Sequence, residues 1–199
     1  MRCENEMKQW WRVGQIETAL STIGLAVTLT VANLAVARAE SQPPSELERL
    51  DYFAGTWSCT QPADSDEPSD KFTWKVERGL NDFWYLGNAQ QDIVPKDGKP
   101  INSQEFLGYD VAQQKLVRSV VVGNGNSYNL SADDWQEDKL VWQGAIVMNG
   151  KSTPLKEEIV RDSQDKFYAT YFVPGEEDNW IPVVNESCDR ISSYSSPID

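Results

Sequence analysis

Leu50-Asp51-Tyr52-Phe53-Ala54-Gly55-Thr56-Trp57-Ser58-Cys59 runs from a short amphipathic turn through a glycine into the start of a strand. Successive side chains of a strand point to opposite faces, so Trp57 and Cys59, two apart, share one face. Near the other end of the chain, Cys188 and Arg190 have the same spacing. If these two strands run antiparallel with Cys59 opposite Cys188, the register places Trp57 opposite Arg190. Facing Cα atoms of such a pair lie within the span of a disulfide. A guanidinium laid on an indole contributes about 0.5–2 kcal/mol, depending on how far it is desolvated. The two strands are the first and the last, so pairing them predicts a closed barrel.

Between them the pattern has a period of two. Phe72, Trp74 and Val76 alternate with Lys71, Thr73, Lys75 and Glu77, as a half-buried strand requires. Further strand-like runs occupy 83–92, 103–109, 115–122, 126–133, 139–148, 154–162, 166–173 and 179–190, which with 56–60 makes about ten. Asp97-Gly98, Asn124-Gly125 and Asn149-Gly150 read as type I′ hairpin turns. Short strands joined by tight turns form an up-and-down meander, and a long meander hides its edges by closing. The expected fold is therefore all-β, an antiparallel barrel of about ten strands. A short helix over Ser45–Ala54 precedes it, with Ser45 as N-cap and Leu47, Leu50 and Phe53 or Ala54 on its apolar stripe.

Upstream, residues 18–37 are mostly apolar, and Ala37-Arg38-Ala39 is a small-x-small cleavage pattern before Glu40. With Lys8 and Arg12 in front, residues 1–39 read as a signal peptide for a periplasmic or secreted protein. Glu4 and Glu6 sit awkwardly upstream of that basic pair, which suggests Met7 as an alternative start. The competing reading is an uncleaved membrane anchor, since the run is just long enough to span a bilayer. The expected layout is leader 1–39, linker and helix 40–54, barrel 55–191 and a flexible tail 192–199. Of three cysteines, Cys3 falls in the leader, and an even pair in an exported chain reads as a disulfide rather than two buried thiols.

A net charge of -13 repels phosphate backbones and anionic headgroups, so neither nucleic acid nor, after leader cleavage, a membrane is an expected partner. The chain contains no histidine, which removes the usual general base near neutral pH and the commonest transition-metal and haem ligand. There is no Gly-x-Ser-x-Gly, no phosphate-cradling glycine loop and no Cys/His pair. Asp64, Asp66 and Asp70 lack the EF-hand spacing and read as a solvated acidic loop, as do Glu176, Glu177 and Asp178. Asn129-Leu130-Ser131 and Asn185-Glu186-Ser187 fit the glycosylation pattern, which matters only in a eukaryotic secretory route. No catalytic residue, metal or cofactor is assigned.

Gly55-Thr56-Trp57 with Arg190 on the last strand resembles the Gly-x-Trp and arginine arrangement of lipocalins, within the calycin superfamily. Phe106-Leu107-Gly108-Tyr109-Asp110 and Asp138-Lys139-Leu140-Val141-Trp142 also resemble secreted calycin-like domains of unknown function. The resemblance implies an up-and-down barrel in which Arg190 packs across Trp57 at the closed end. It also implies a small apolar or amphipathic ligand. The nitrobindin-like calycins hold haem through a histidine, a ligand that this chain cannot supply.

On 154–162, Leu155, Glu157, Ile159 and Arg161 share the more apolar face and are expected to point inward. On 115–122 the two faces, one holding Arg118, cannot be told apart. Glu157 and Arg161, with Arg118 and Tyr128, are the candidate polar cluster, in which a guanidinium could clasp a ligand carboxylate. The alternative is an internal ion pair. Trp74, Trp84, Trp142 and Phe167 are candidate cavity linings, or else ordinary barrel core. Three functions follow: a ligand-binding barrel, a barrel enzyme using carboxylate acid–base chemistry, or a filled barrel that binds another protein. A cavity of about 300 Å³ or more favours the first. Protein recovered from its native compartment is expected to begin at Glu40 on N-terminal sequencing; intact Met1 or Met7 in membrane fractions would establish the anchor instead.

Overall fold

In a computed structural model of the protein, residues 42–62, 70–92, 99–176 and 179–193 are described. The alternation noted above becomes ten strands: β1 (Gly55–Thr60), β2 (Lys71–Gly79), β3 (Trp84–Gln91), β4 (Asn102–Asp110) and β5 (Lys115–Val122). They continue with β6 (Ser127–Ala132), β7 (Lys139–Met148), β8 (Lys151–Ser163), β9 (Lys166–Pro174) and β10 (Trp180–Ser193). Each pairs antiparallel with its chain neighbours and β1 pairs with β10, closing the barrel. β10 reaches Ser193, so the barrel extends past the expected limit at 191. Residues 194–199 of the expected tail lie outside the described residues, as does the leader. Among the described residues no helix is long and apolar enough to cross a membrane.

Closure has the expected register. Trp57 faces Arg190, Cys59 faces Cys188, and the two cysteines form a disulfide. Below Trp57 the register slips by one residue and leaves Ile191 unpaired as a bulge. That slip lets Arg190 keep its side chain on the inner face while the strand runs on. Its guanidinium carbon lies 4.0 Å from the Trp57 ring centre. Its N–H groups donate to the carbonyls of Tyr52 (2.7 Å), Gln164 and Ala54. The Trp57 indole N–H donates to the carbonyl of Phe53 at 2.8 Å. The bonds to Tyr52, Phe53 and Ala54 satisfy carbonyls at the helix end, and the bond to Gln164 reaches the turn between β8 and β9.

The helix itself, Ser45–Phe53, is of the 3₁₀ type, and Pro44 rather than Ser45 occupies the cap position, with no side-chain cap bond. The apolar stripe explains the difference. Leu47, Leu50 and Phe53 recur every third residue, and only three residues per turn keep them on one face. All three are buried. Asp51 on the outer side accepts from Arg78 at 2.8 Å and from the Tyr85 hydroxyl. The helix lies at the barrel end reached by the β2–β3, β4–β5, β6–β7 and β8–β9 turns, and this is the closed end. The Tyr52 hydroxyl lies 2.8 and 2.9 Å from the carbonyls of Ser163 and Lys166. Burial first of all pushes its pKa up to about 12, against the pull of Arg161 and Arg190, so it serves as a proton donor.

Asn149-Gly150 is the expected two-residue turn, both residues having positive φ (51° and 74°) and linking Met148 to its partner Lys151. Asn124-Gly125 is different. Only Gly125 is left-handed, at φ 90°, and its N–H donates to the carbonyl of Val122 while the N–H of Val122 donates to that of Asn126. This is the three-residue hairpin, a tight turn ended by a left-handed glycine, and Gly123 supplies the additional residue. Asp97-Gly98 lies outside the described residues.

Two losses of stability follow from the closure. The disulfide links residues 129 apart, so reduction is expected to cost roughly 4–5 kcal/mol. Arg190→Leu should cost about 3 kcal/mol by orphaning the buried carbonyls it now caps. Urea titration followed by tryptophan fluorescence measures both; an Arg190→Leu protein unfolding at the wild-type midpoint would refute the capping role.

Candidate functional site

The parity that builds the barrel also decides which polar side chains enter it. The closed end is filled: Tyr52, Phe53, Trp57 and Phe167 pack with ring centroids 4.9–6.3 Å apart, in tilted or edge-on contacts. Toward the opposite end, the side chains leave a cavity of about 230 Å³. Gln61, Asp70, Lys71, Gln91 and Ile101 line it where β1 ends, β2 begins and the β3–β4 connection joins. Deeper inside are Phe72, Trp74, Tyr128, Phe167 and Tyr171, the Cys59–Cys188 disulfide, and four charged or titratable groups: Glu105, Arg118, Glu157 and Glu186.

Arg118 organises these groups. From β5 its Nε donates to Glu105 Oε2 on neighbouring β4 at 3.0 Å. Its Nη1 donates to Glu157 Oε2 at 2.6 Å. Glu157 stands on β8, three strands away around the wall, so this second bond crosses the interior. Burial opposes the charge on Arg118, but Glu105 and Glu157 outweigh it and hold the guanidinium well above its ordinary pKa. Its carbon also lies 5.7 Å from the Trp74 ring centre. Glu186 stands apart and accepts from Gln61 Nε2 at 2.7 Å. Burial pushes its carboxyl up to about 7, the Gln61 bond opposing that rise and the Glu157 charge adding to it. Burial likewise raises both phenols, Tyr171 strongly, with Glu157 adding to the effect there.

Of the residues singled out in the sequence, Arg118, Glu157, Tyr128, Trp74 and Phe167 meet around this cavity. Three do not. Arg161 faces inward as its alternation with Glu157 requires, but four residues along a strand is about 13 Å, which takes it to the closed end. There its guanidinium carbon lies 3.3 Å from the Trp135 ring centre and 4.3 Å from that of Tyr52. Its buried Nε has no hydrogen-bond partner among the described residues. Trp84 is on the outer face of β3, because Tyr85, its neighbour, takes the inner one. The Trp84 ring covers Gly108, where an added Cβ would come within 2.5 Å of it. Trp142 is wholly buried core and does not line this cavity.

Reading the sequence missed Glu105, Glu186 and Tyr171. Each was within reach of the same parity argument. Glu186 is two residues before Cys188, Tyr171 is four after Phe167, and Glu105 is two before Leu107. Phe106, on the outer face, is 40% exposed, whereas Glu105 shares the inner face with Leu107. Among the described residues no three Cys, Asp or Glu side chains converge to hold a metal ion. Asp64 and Asp66 lie outside those residues, as do Glu177 and Asp178.

The raised pKa of Glu186 has a sign. The folded protein holds a proton that the unfolded chain has already released, so stability declines as pH rises from about 4.5 toward 7. Replacing Glu186 by Gln, which preserves an acceptor for Gln61, should remove this part of the pH dependence, on the order of 1–3 kcal/mol between pH 5 and 8. Denaturant midpoints of both proteins at the two pH values test it; parallel shifts would contradict the assignment.

Comparison with known proteins agrees on the barrel and is silent on its use. A crystal structure of Rv2717c from M. tuberculosis superposes with a TM-score of 0.54 at 11% identity, covering 75% of this chain and 99% of the other. At that identity the likeness concerns the fold alone. A redesigned β-barrel, also 11% identical, aligns over 74% of this chain and 98% of its own with a TM-score of 0.39. No curated protein matches the chain. The model of one family, described as a protein of unknown function (DUF1579), matches residues 42–190, and the chain belongs to that family.

Proposed function

We propose that this is an exported, calycin-type barrel that holds one small amphipathic molecule in the cavity at its open end. The observation that carries the reading is the uneven filling of the interior. The closed end is packed solid with aromatic rings, whereas the other end keeps about 230 Å³ lined by five aromatic side chains and a few convergent polar groups. That combination is how small-molecule sites are built. The volume is below the ~300 Å³ at which such sites commonly begin, so the occupant is about the size of one ring with a short substituent, not a lipid chain. A filled barrel acting only through its outer surface would not leave this space.

The carboxylate-enzyme reading gains one observation, the Glu186 carboxyl with a pKa of about 7, which suits general acid–base work near neutrality. It lacks a second free carboxyl beside it in the interior, because Glu105 and Glu157 are both tied to Arg118 and Asp70 is exposed at the mouth. Binding is therefore the better reading. Export rests on the leader and agrees with the disulfide, a bond that persists in oxidising compartments.

Native mass spectrometry of protein purified from its own compartment tests the proposal. A bound small molecule is expected, lost in an Ala89→Phe variant that fills the cavity while tryptophan fluorescence and the disulfide are unchanged. Arg161→Leu, at the far end, should leave the bound mass in place. An empty protein that also fails to take up any small aromatic probe would overturn the reading.

A further inference from the structure

Resting on that reading, we infer that the ligand is a cation: a small aromatic or aliphatic amine, not the carboxylate that inward arginines would suggest. Asp70 and Lys71 add one charge of each sign at the mouth, and the inner wall of the cavity carries three carboxyl groups, Glu105, Glu157 and Glu186, against one guanidinium. Arg118 is already committed to two of them, through Nε and Nη1. Arg118 Nη2 makes no hydrogen bond among the described residues, but a carboxylate drawn to it would set a further negative charge beside Glu105 and Glu157. An incoming ammonium meets the opposite situation.

Glu157 is 2% exposed and Glu105 5%, yet each uses only Oε2 for Arg118. Their Oε1 atoms accept no hydrogen bond among the described residues and are not sealed away from the void they border. Glu186 likewise offers the oxygen that Gln61 leaves free. A carboxylate oxygen this far from bulk water needs a donor. An ammonium brings three donors as well as the charge. The remaining wall suits the rest of such a molecule. Phe72, Trp74, Tyr128, Phe167 and Tyr171 supply aromatic surface, which attracts cations face-on and takes an apolar body equally well. A cavity of about 150 Å³ accommodates benzene, so 230 Å³ has room for a ring with an aminoalkyl arm. The net charge of -13 draws cations toward the mouth.

Three probes with one apolar body separate the possibilities: 2-phenylethylamine, 2-phenylethanol and phenylacetate, titrated calorimetrically at pH 7.5 into the purified protein. The amine is expected to bind about tenfold or more tighter than the alcohol, and the acid weakest of the three. In Glu186→Gln, which keeps the Gln61 bond, the amine should lose about fivefold or more while the alcohol changes less than about twofold. Phenylacetate binding as tightly as the amine, or the amine matching the alcohol in both proteins, would overturn the cation while leaving a ligand-binding barrel intact. Failure of all three to bind at millimolar concentration would bring down the binding reading itself, and this inference with it.

Discussion

Pairing of β1 with β10 removes the two open edges that a ten-strand meander would otherwise present, and every interior position is counted from it. The pairing is secured at three points along a few residues: the disulfide, the stacking of Arg190 on Trp57, and the hydrogen bonds from Arg190 to the carbonyls of Tyr52, Ala54 and Gln164. Arg190 thus joins three segments distant in sequence, the helix end, the last strand and the β8–β9 turn. An apolar residue there could fill the space but could not satisfy the carbonyls. A lysine could donate but would not stack in a plane.

The two ends of the barrel are filled unevenly. The helix brings Leu47, Leu50, Tyr52 and Phe53 to the closed end, and with Trp57 and Phe167 they use up the space between the walls. Among the described residues nothing comparable enters from the opposite end, and the cavity lies there. Its polarity follows from a second constraint. Charges deep in a barrel must be paired or pay several kcal/mol each in lost hydration, and Arg118 satisfies this by spanning β4 and β8 at once. One guanidinium between two carboxylates leaves the carboxyl side in surplus, with Glu186 lessening the imbalance by holding its proton up to about pH 7.

Kinship with a family of unknown function and a fold shared at 11% identity leave the chemistry to be argued from this chain's own residues. Barrels of this kind accept many occupants, because the wall hydrogen bonds are made by backbone and the inner side chains are free to vary. What distinguishes the present interior is the lack of any histidine and the preponderance of acid over base. The first removes the usual haem ligand, and the second is the ground for proposing a cationic rather than an anionic occupant.

Much of the architecture was legible in the residues themselves. Alternation with a period of two is a local property, so ten strands could be located from their own side chains, with ends that shift by only a few residues. The closure register was legible as well, since two cysteines and a Trp/Arg pair with equal spacing admit one antiparallel alignment. Which end of the barrel each inward residue occupies was not. Glu157 and Arg161 lie on one face of one strand and are indistinguishable to a parity argument. Their heights relative to the helix plug separate them into a cavity wall and a packed floor. The sequence likewise could not say that Arg118 reaches Glu157, because β5 and β8 are not paired in the sheet and their side chains meet only across the lumen of the closed barrel. Parity is set within a strand by the pleat; height and cross-barrel contact are set by the stagger and closure of all ten strands together. That is why the fold could be read from the sequence, whereas the composition of the site became definite only in three dimensions.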